Sequence, residues 1–251
     1  MLTPEIIEKL RKDKFIRTAP DRWKTVFLSP NVIRVECEEG SWLVKKSNSS
    51  RRELAVYHLF RSYGIPYFRI ESLGGDLLLY EDLRLPTLGS YLQEVEDLSP
   101  QLFYQLGRAG IQAELVGMKD RNLRNILVDS TGPKLYLIDF NAAFRTDVFN
   151  RVFRPYKFYR YLVRRMFFDV LRAGSALSRA RVDYLMPSFR QGMLEEQERI
   201  NRLALTCRPE FSLFTWAEMI CLRTRAVSQE KLVALLERGY ASALEREEIR
   251  N

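Results

Sequence analysis

The sequence predicts an α+β fold in two parts: a small antiparallel five-stranded sheet with one helix, and a larger, mainly helical part. Turn residues divide the β-rich run KTVFLSPNVIRVECEEGSWLVKK into three strands. A helical segment and two further strands follow this run before residue 84. Beyond residue 145, apolar residues recur every three or four positions, which is the spacing of helices.

The smaller part, residues 1–83, begins with a predicted helix over residues 3–15, since Thr3 and Pro4 fit an N-cap and a first helical position. The segments LSPN and CEEG are the predicted turns of a three-stranded meander. SNSSRRELAVYHLFRS has helical spacing, and the following YGIP ends that helix. YFRIES and GDLLLYEDL are the predicted fourth and fifth strands.

The larger part, residues 84–251, is predicted to consist of helices and one hairpin, with the link between the parts near residues 81–86. Thr87 and the pair Ser99-Pro100 open the first two helices. ILVDSTGPKLYLID supplies two short strands around a Ser-Thr-Gly turn. Helical spacing then runs through the apolar residues Tyr159, Leu162, Val163, Met166, Phe167, Val170 and Leu171.

The composition is that of a protein with a core and a surplus of positive charge. The chain has 251 residues, a net charge of +8 and a pI near 9.4. Between Arg145 and Arg181 there are ten Lys or Arg against two Asp, so the surplus is regional and favours an anionic partner.

Three widely spaced cysteines and a single histidine, His58, predict neither a disulfide framework nor a zinc site. The charged N-terminus predicts a cytoplasmic protein, with peripheral contact at the inner face of a membrane left open.

Three polar side chains stand at the ends of the predicted hairpin strands. Asp120 precedes the first strand, Asn125 begins it and Asp139 ends the second. Because strand ends meet in a tight hairpin, we expect the three side chains to lie together. A carboxylate can orient or deprotonate a hydroxyl, and amide and carboxylate oxygens bind hard cations such as Mg²⁺. Phosphoryl transfer requires these groups.

The segment KDRNLRNILVDSTGPKLYLIDF resembles the catalytic loop and metal-binding segment of the protein-kinase-like superfamily, where D-x-x-x-x-N precedes a strand pair ending in I-D. The resemblance implies a bilobal protein-kinase-like fold that uses ATP and Mg²⁺. It assigns Asp120 as the catalytic residue at the acceptor hydroxyl, and Asn125 and Asp139 as metal ligands. Arg121 and Arg124 flank Asp120 and are candidates for neutralising the transferring phosphoryl group, with surface arginines as the alternative.

The smaller part completes the resemblance. The family places a Lys on its third strand and a Glu on the following helix, an ion pair that positions the phosphates, and Lys45 and Glu53 match these positions. Lys46 is a rival for Lys45, because neighbouring residues of a strand point to opposite faces. Glu53 also fits the last position of an S-x-x-E capping box. LLLYEDL resembles the hinge that binds adenine through backbone groups, which implicates Glu81 to Leu83.

Several departures distinguish the sequence from an ordinary protein kinase. The turn LSPN has no glycine, Met118 stands where the family has a His, and D-F-N replaces D-F-G. In these respects the sequence is similar to the atypical bacterial branch, which includes the aminoglycoside phosphotransferases and the lipopolysaccharide core sugar kinases. The resemblance covers Val26 to Phe144, a little under half of the chain.

The sequence therefore favours an ATP-dependent phosphotransferase that acts on a hydroxyl of a non-protein acceptor, such as a sugar in an envelope glycolipid. The basic aromatic stretch RVFRPYKFYRYLVRRMFFDVLR suits such an acceptor or an anionic membrane, although its spacing also fits a buried aromatic face with solvated arginines. The alternatives are a pseudokinase or nucleotide-binding regulatory module, and an atypical protein Ser/Thr kinase. A nucleic-acid-binding protein is the least favoured class, so nucleic acid is not expected as a partner.

Overall fold

The structure is a computed structural model. It describes residues 24–37, 40–118, 120–132, 134–141, 143–144, 162–175, 177–206 and 229–248. The helix predicted over residues 3–15 and residues 145–161 of the basic stretch lie outside the described residues.

Five antiparallel strands form one sheet in the order β1-β2-β3-β5-β4. The turn between β1 and β2 lies at residues 30–31 as predicted, whereas residues 38–39 of the second predicted turn lie outside the described residues. Strand β5 pairs with β3, which leaves β4 at the edge. Alternation along the strands buries Ile33, Val35 and Val44 on one face of the sheet. The strands are β1 (Lys24–Ser29), β2 (Val32–Cys37), β3 (Gly40–Lys46), β4 (Ile70–Gly74) and β5 (Leu77–Glu81).

One helix, α1 (Ser50–Ser62), lies between β3 and β4 in the chain and contacts β4. Its apolar face, which includes Val56, Leu59 and Phe60, is buried in the main core. The helix ends before Gly64, whose φ of +57° is the left-handed conformation typical of a glycine after a helix. The predicted order of three strands, one helix and two strands is confirmed.

Beyond residue 84, the described chain is mainly helical, with α2 (Leu88–Glu94), α3 (Pro100–Leu115), α4 (Asp169–Ala173), α5 (Arg179–Thr206) and α6 (Gln229–Glu248). The predicted helix starts are confirmed, because the Thr87 and Ser99 side chains accept hydrogen bonds from the backbone N–H groups of Ser90 and Leu102. The α+β fold class predicted from the sequence is therefore confirmed. The division of the chain at residue 83 stays a prediction.

Helices α3 and α5 pack with their backbones in contact. A Cβ atom on Gly107 would collide with the carbonyl oxygen of Phe189, and one on Gly192 would collide with that of Tyr104. Glycine is required at both positions for this close approach. The apolar core that surrounds the two helices continues into α1.

A buried carboxylate, Glu196, joins α5 to α3 and to the end of α1. It accepts hydrogen bonds from Arg108 Nε at 3.0 Å, Gln112 Nε2 at 2.8 Å and Arg199 Nε at 2.8 Å. Arg199 also donates to the carbonyl oxygen of Tyr63, just beyond α1. Although burial alone would raise the pKa of Glu196, the hydrogen bonds from Arg199 and Gln112 and the charges of Arg199 and Arg108 lower it overall.

The predicted hairpin is present as β6 (Ile126–Asp129) and β7 (Lys134–Leu137), with Ile126 opposite Leu137. A short 3₁₀ turn, Leu123–Asn125, leads into it. The Val128 N–H donates to the carbonyl oxygen of Pro86 at 3.0 Å, which ties the hairpin to the chain that follows β5. This connection places the open ends of the hairpin next to the sheet.

The described part of the basic stretch is a buried helical segment. Residues Val163–Phe168 form a π-helix and continue directly into α4, whereas the sequence predicted ordinary helical spacing. Phe167 is buried and Arg165 is exposed, as expected for a segment with one apolar and one solvated face. No helix of the described chain is long and apolar enough to cross a membrane. The predicted apolar residues within the described range are all buried: Leu162, Val163, Met166, Phe167, Val170 and Leu171.

Candidate active site

A cavity of about 960 Å³ lies between the β6–β7 hairpin and the face of the sheet that carries Arg34, Leu43 and Lys45, and its volume is within the range of small-molecule sites. Its wall is formed by β2, β3, β5, the linker after β5 and the segment after β7. Four of the eight predicted site residues line it: Lys45, Glu81, Leu83 and Asp139. The other four do not line it: Glu53, Asp120, Arg124 and Asn125.

Lys45 joins the sheet, α1 and the segment after the hairpin. Its Nζ lies 2.9 Å from Glu53 Oε2 and 2.9 Å from Asp139 Oδ1. Lys46 also lines the cavity, but its Nζ lies 3.7 Å from Asp76, and about half of its side chain is exposed. Of the two rival lysines, therefore, Lys45 makes the ion pair with Glu53.

Glu53 is a buried carboxylate surrounded by donors, with 1% of its surface exposed. Besides the Lys45 ammonium, it accepts hydrogen bonds from Ser47 Oγ at 2.5 Å and from the Tyr80 hydroxyl. Three donors offset the cost of burying its charge. Ser47 and Tyr80 were not among the predicted site residues, although a tyrosine in a buried strand needs a partner for its hydroxyl.

The capping-box alternative for Glu53 is wrong. The N-cap position of α1 is Ser49, and its side chain makes no capping hydrogen bond. Ser50 is the first helical residue, and its hydroxyl donates to the carbonyl oxygen of Gly75 at 3.3 Å. The Glu53 side chain turns away from the helix end because Lys45, Ser47 and Tyr80 together provide more donors than one backbone N–H group.

Two pKa values in this group are raised, each for a different main reason. Burial alone would lower the pKa of Lys45, but the carboxylates of Glu53 and Asp139 raise it above its ordinary value. Burial raises the pKa of Tyr80 well above its ordinary value, and the adjacent Glu53 raises it further. Lys45 is therefore held as a cation and Tyr80 as a neutral donor.

Asp139 presents its carboxylate to the cavity from a left-handed backbone, with φ of +64°. Such a conformation is uncommon outside glycine, and Asp tolerates it better than most residues. The next residue, Phe140, is buried with its ring centroid 5.4 Å from that of Phe60 on α1. The packing of Phe140 fixes the turn in which Asp139 lies.

Asp120 and Asn125 belong to a second group, held together by loop hydrogen bonds. Asn125 Nδ2 donates to the Asp120 carbonyl oxygen at 3.1 Å, and Asn122 Nδ2 donates to Asp120 Oδ1 at 2.7 Å. Asn122 Oδ1 accepts from the backbone N–H groups of Arg124 and Asn125. Asn122, which the sequence did not single out, therefore organises the loop and orients the exposed Asp120 carboxylate.

The two groups are connected through the hairpin. The Ile138 N–H donates to the Asn125 carbonyl oxygen at 3.0 Å, which places the residue before Asp139 directly opposite Asn125. Because Asn125 uses its side-chain nitrogen toward Asp120, its amide oxygen is not consumed by that bond. The hairpin thus brings the Asn125 and Asp139 backbones together at its open end.

The donor groups present fit a magnesium ion that is shared with a phosphate-bearing ligand. Mg²⁺ usually takes one or two protein carboxylates together with substrate phosphates and water. Among the described residues no cluster of three His, Cys, Asp or Glu side chains is placed to hold a metal alone. Asp139, with about a third of its side chain exposed, is a carboxylate of the required kind.

The two loop arginines have different environments. Arg121 is buried, with Nε donating to the Met118 carbonyl oxygen at 2.8 Å and Nη2 to Glu114 at 3.0 Å. Both roles considered for Arg121, at a phosphoryl group or on the surface, are therefore wrong, because its guanidinium is committed to the base of the loop. Arg124 is exposed and makes no ion pair with a described residue.

The linker after β5 keeps part of its backbone available to a ligand. The Glu81 N–H donates to the Arg69 carbonyl oxygen at 2.9 Å and so completes the sheet. The backbone N–H and carbonyl groups of Leu83 make no hydrogen bond with the described chain, and Leu83 lines the cavity. At the opposite wall, the glycine-free turn between β1 and β2 contributes Ser29 and Asn31.

Comparisons with known proteins place two kinases among the similar solved structures. The proinflammatory kinase CtkA of Helicobacter pylori is 12% identical, with a TM-score of 0.43 over 86% of this chain and 97% of that chain. An ethanolamine kinase of Plasmodium vivax is 8% identical, with a TM-score of 0.37 over 81% of this chain and 82% of that chain. No protein-family model and no curated protein matches the sequence. At such low similarity, function has to be inferred from the side chains of this chain.

Proposed function

We propose that this chain is a phosphotransferase of the protein-kinase-like superfamily that transfers the γ-phosphoryl group of a nucleoside triphosphate to a hydroxyl. The sequence resemblance implies ATP as the donor and Mg²⁺ as the metal. The main support is the position of Lys45 Nζ, 2.9 Å from both Glu53 and Asp139 at the wall of the cavity. An ammonium group has three N–H donors, so one remains for a phosphate oxygen after these two contacts.

Each residue of the proposed site has a distinct role. Glu53 fixes the Lys45 ammonium, which neutralises phosphate charge, and Asp139 with Asn125 provides oxygen ligands for the metal. When bound, Mg²⁺ would neutralise the developing negative charge on the phosphates. Asp120, oriented by Asn122, accepts the proton of the acceptor hydroxyl. Arg124 is exposed in the same loop, where it can contact an incoming anionic group.

For the acceptor we propose a sugar, such as one in an envelope glycolipid. The regional excess of cations between Arg145 and Arg181 supports an anionic acceptor and peripheral contact with an anionic membrane surface. Within the described part of this stretch, Arg165 is exposed although it is paired with Asp169 at 3.2 Å. An atypical protein kinase with a serine or threonine acceptor is the alternative within the same reaction class.

A second candidate is a nucleotide-binding module that does not turn over its ligand. The observation that favours it is the turn at Ser29–Asn31, which lines the cavity without a glycine. A side chain on every residue keeps this backbone further from a phosphate than a glycine-rich loop would be. In a module of this kind, nucleotide binding would persist without phosphoryl transfer.

The test is transfer of labelled γ-phosphate from Mg·ATP and Mg·GTP into fractions of a cell extract, separated into lipid, small molecules and protein. The Asp120→Asn variant should lose at least about 100-fold in transfer rate, as expected for loss of a general base, and should still bind nucleotide. Asp129→Asn, at the far end of the same hairpin, is the matched control and should retain the rate. Binding without transfer into any fraction would favour the module, and equal rates in Asp120→Asn and wild type would remove Asp120 from the mechanism.

A further inference from the structure

Arg34 lines the cavity with hydrogen-bond donors that the described chain does not use. Its Nε donates to Asp82 Oδ2 at 2.6 Å, and 29% of its side chain is exposed. The two terminal nitrogens donate to no described residue. A guanidinium carries five N–H donors, so four remain for a ligand in the cavity.

Asp82 holds the Arg34 guanidinium in place and offers little to a ligand itself. Its side chain is 4% exposed, and it accepts hydrogen bonds from Ser41 Oγ at 2.7 Å and from the Arg84 N–H at 3.2 Å in addition to Arg34. With these three donors the carboxylate is satisfied. At Arg34 the cavity wall therefore presents the Arg34 donors, while the Asp82 carboxylate beside them is already engaged.

The sheet register places Arg34 away from the phosphate-binding end of the proposed site. Lys45 lies opposite Val32, whereas Arg34 lies opposite Leu43. Two residues along a strand correspond to about 7 Å, so Arg34 is displaced by that distance from Lys45 toward the linker that contains Asp82. A nucleotide with its phosphates at Lys45 would place its base beside Arg34 and Leu83.

We infer that Arg34 reads the base of the donor nucleotide, and that the cavity binds guanine nucleotides more tightly than adenine nucleotides. Guanine presents two acceptors, O6 and N7, that an arginine can bind with two hydrogen bonds. Adenine carries an amino donor where guanine has O6, so it opposes the Arg34 donors. The Leu83 backbone offers one donor and one acceptor, so it gives no preference between guanine and adenine. The inference rests on the proposed function and changes only the base of the donor nucleotide.

The experiment is isothermal titration of the full chain with Mg·GTP, Mg·ATP and Mg·ITP. We expect Mg·GTP to bind roughly 5- to 150-fold more tightly than Mg·ATP, the range that one bidentate arginine contact gives. Mg·ITP keeps O6 and N7 but lacks the 2-amino group, so it should bind nearly as well as Mg·GTP. 7-Deaza-GTP, which lacks the N7 acceptor, should bind several-fold more weakly than GTP to the unaltered protein.

Two variants separate base recognition from support of Asp82. Arg34→Lys keeps a cation for Asp82 but loses the planar pair of terminal nitrogens, so the preference for GTP should disappear. Ser41→Ala removes another hydrogen bond to Asp82 from a residue that does not line the cavity, so the preference should remain.

Wild-type protein that binds Mg·ATP as tightly as Mg·GTP, or binds 7-deaza-GTP as tightly as GTP, overturns the inference and leaves the proposed function standing. A preference that persists in Arg34→Lys also overturns it. If folded wild-type protein binds neither nucleotide, both the inference and the proposed function are wrong.

Discussion

Replacement of Lys45 by Met tests whether the buried ion pair supports the fold as well as the site. Glu53 is 1% exposed, and Lys45 Nζ lies 2.9 Å from its carboxylate. The variant removes this cation and leaves the Glu53 charge with its hydrogen bonds from Ser47 and Tyr80. Because the Glu53 carboxylate is buried and would lose its only cationic partner among the described residues, the cost appears as lost stability.

The expected magnitude follows from the degree of burial. Removing one partner of a buried ion pair typically costs about 3–5 kcal/mol. Because two hydroxyl donors remain on Glu53, we expect the lower end, about 3 kcal/mol. For a chain of this length that corresponds to a fall in thermal midpoint of roughly 6–12 °C.

Thermal unfolding followed by circular dichroism, without nucleotide, measures this change. Lys46→Met is the matched control, since its ammonium lies 3.7 Å from Asp76 with both side chains nearly half exposed, and it should cost no more than about 1 kcal/mol. In the double variant Lys45→Met/Glu53→Gln, the loss should be smaller than the sum of the single losses. Equal losses in Lys45→Met and Lys46→Met would refute the assignment of Lys45 to the buried pair.

Two further predictions concern pH. The folded protein lowers the pKa of Glu196, so the stabilisation from its carboxylate is present above the ordinary pKa of 4.5 and is lost as the pH falls through the lower folded value. Glu196→Gln should therefore reduce the free energy of unfolding at pH 7 and flatten the decline of that free energy in acid. Urea unfolding between pH 3 and 7 checks this against Glu198→Gln, an exposed control on the same helix, and an unchanged acid decline in Glu196→Gln would contradict it. The folded protein raises the pKa of Tyr80, so the contribution of its hydroxyl to stability is complete below the ordinary pKa of 10.0 and is lost as the pH rises through the folded value. Tyr80→Phe should therefore lower the free energy of unfolding by about 1–3 kcal/mol at pH 7 and lose less additional stability above pH 10 than wild type does. A decline above pH 10 as steep as in wild type would show that another group is responsible.

Local patterns in the sequence were sufficient for the elements and for part of the candidate site. Turn and cap residues predicted the succession of strands and helix along the chain and the starts of α2 and α3, because these features depend on neighbouring residues. The spacing of Asp120, Asn125 and Asp139 located the ends of one hairpin. Strand alternation showed that Lys45 and Lys46 face opposite ways, but only the three-dimensional structure shows that Lys45, and not Lys46, pairs with Glu53 and Asp139.

Contacts between distant residues were not predictable in the same way. Tyr80 reaches Glu53 across 27 positions, and Arg34 reaches Asp82 across 48, with no local motif for either contact. Arg121 was misjudged because its partner, Glu114, lies on the preceding helix, and the fold buries the guanidinium although the neighbouring Asp120 and Arg124 are exposed. The π-helix at Val163–Phe168 keeps the same apolar residues buried as an ordinary helix would, so hydrophobic spacing does not distinguish them.

The most direct test of the proposed site is the magnesium dependence of nucleotide binding, measured by titration of wild-type and Asp139→Asn protein with and without Mg²⁺. Since the Asp139 carboxylate lines the cavity beside Lys45, we expect Mg²⁺ to strengthen binding at least tenfold in wild type and to have little effect in the variant. The variant should retain the wild-type far-ultraviolet spectrum. An equal gain from Mg²⁺ in both proteins would show that Asp139 is not a metal ligand and would contradict the proposed site.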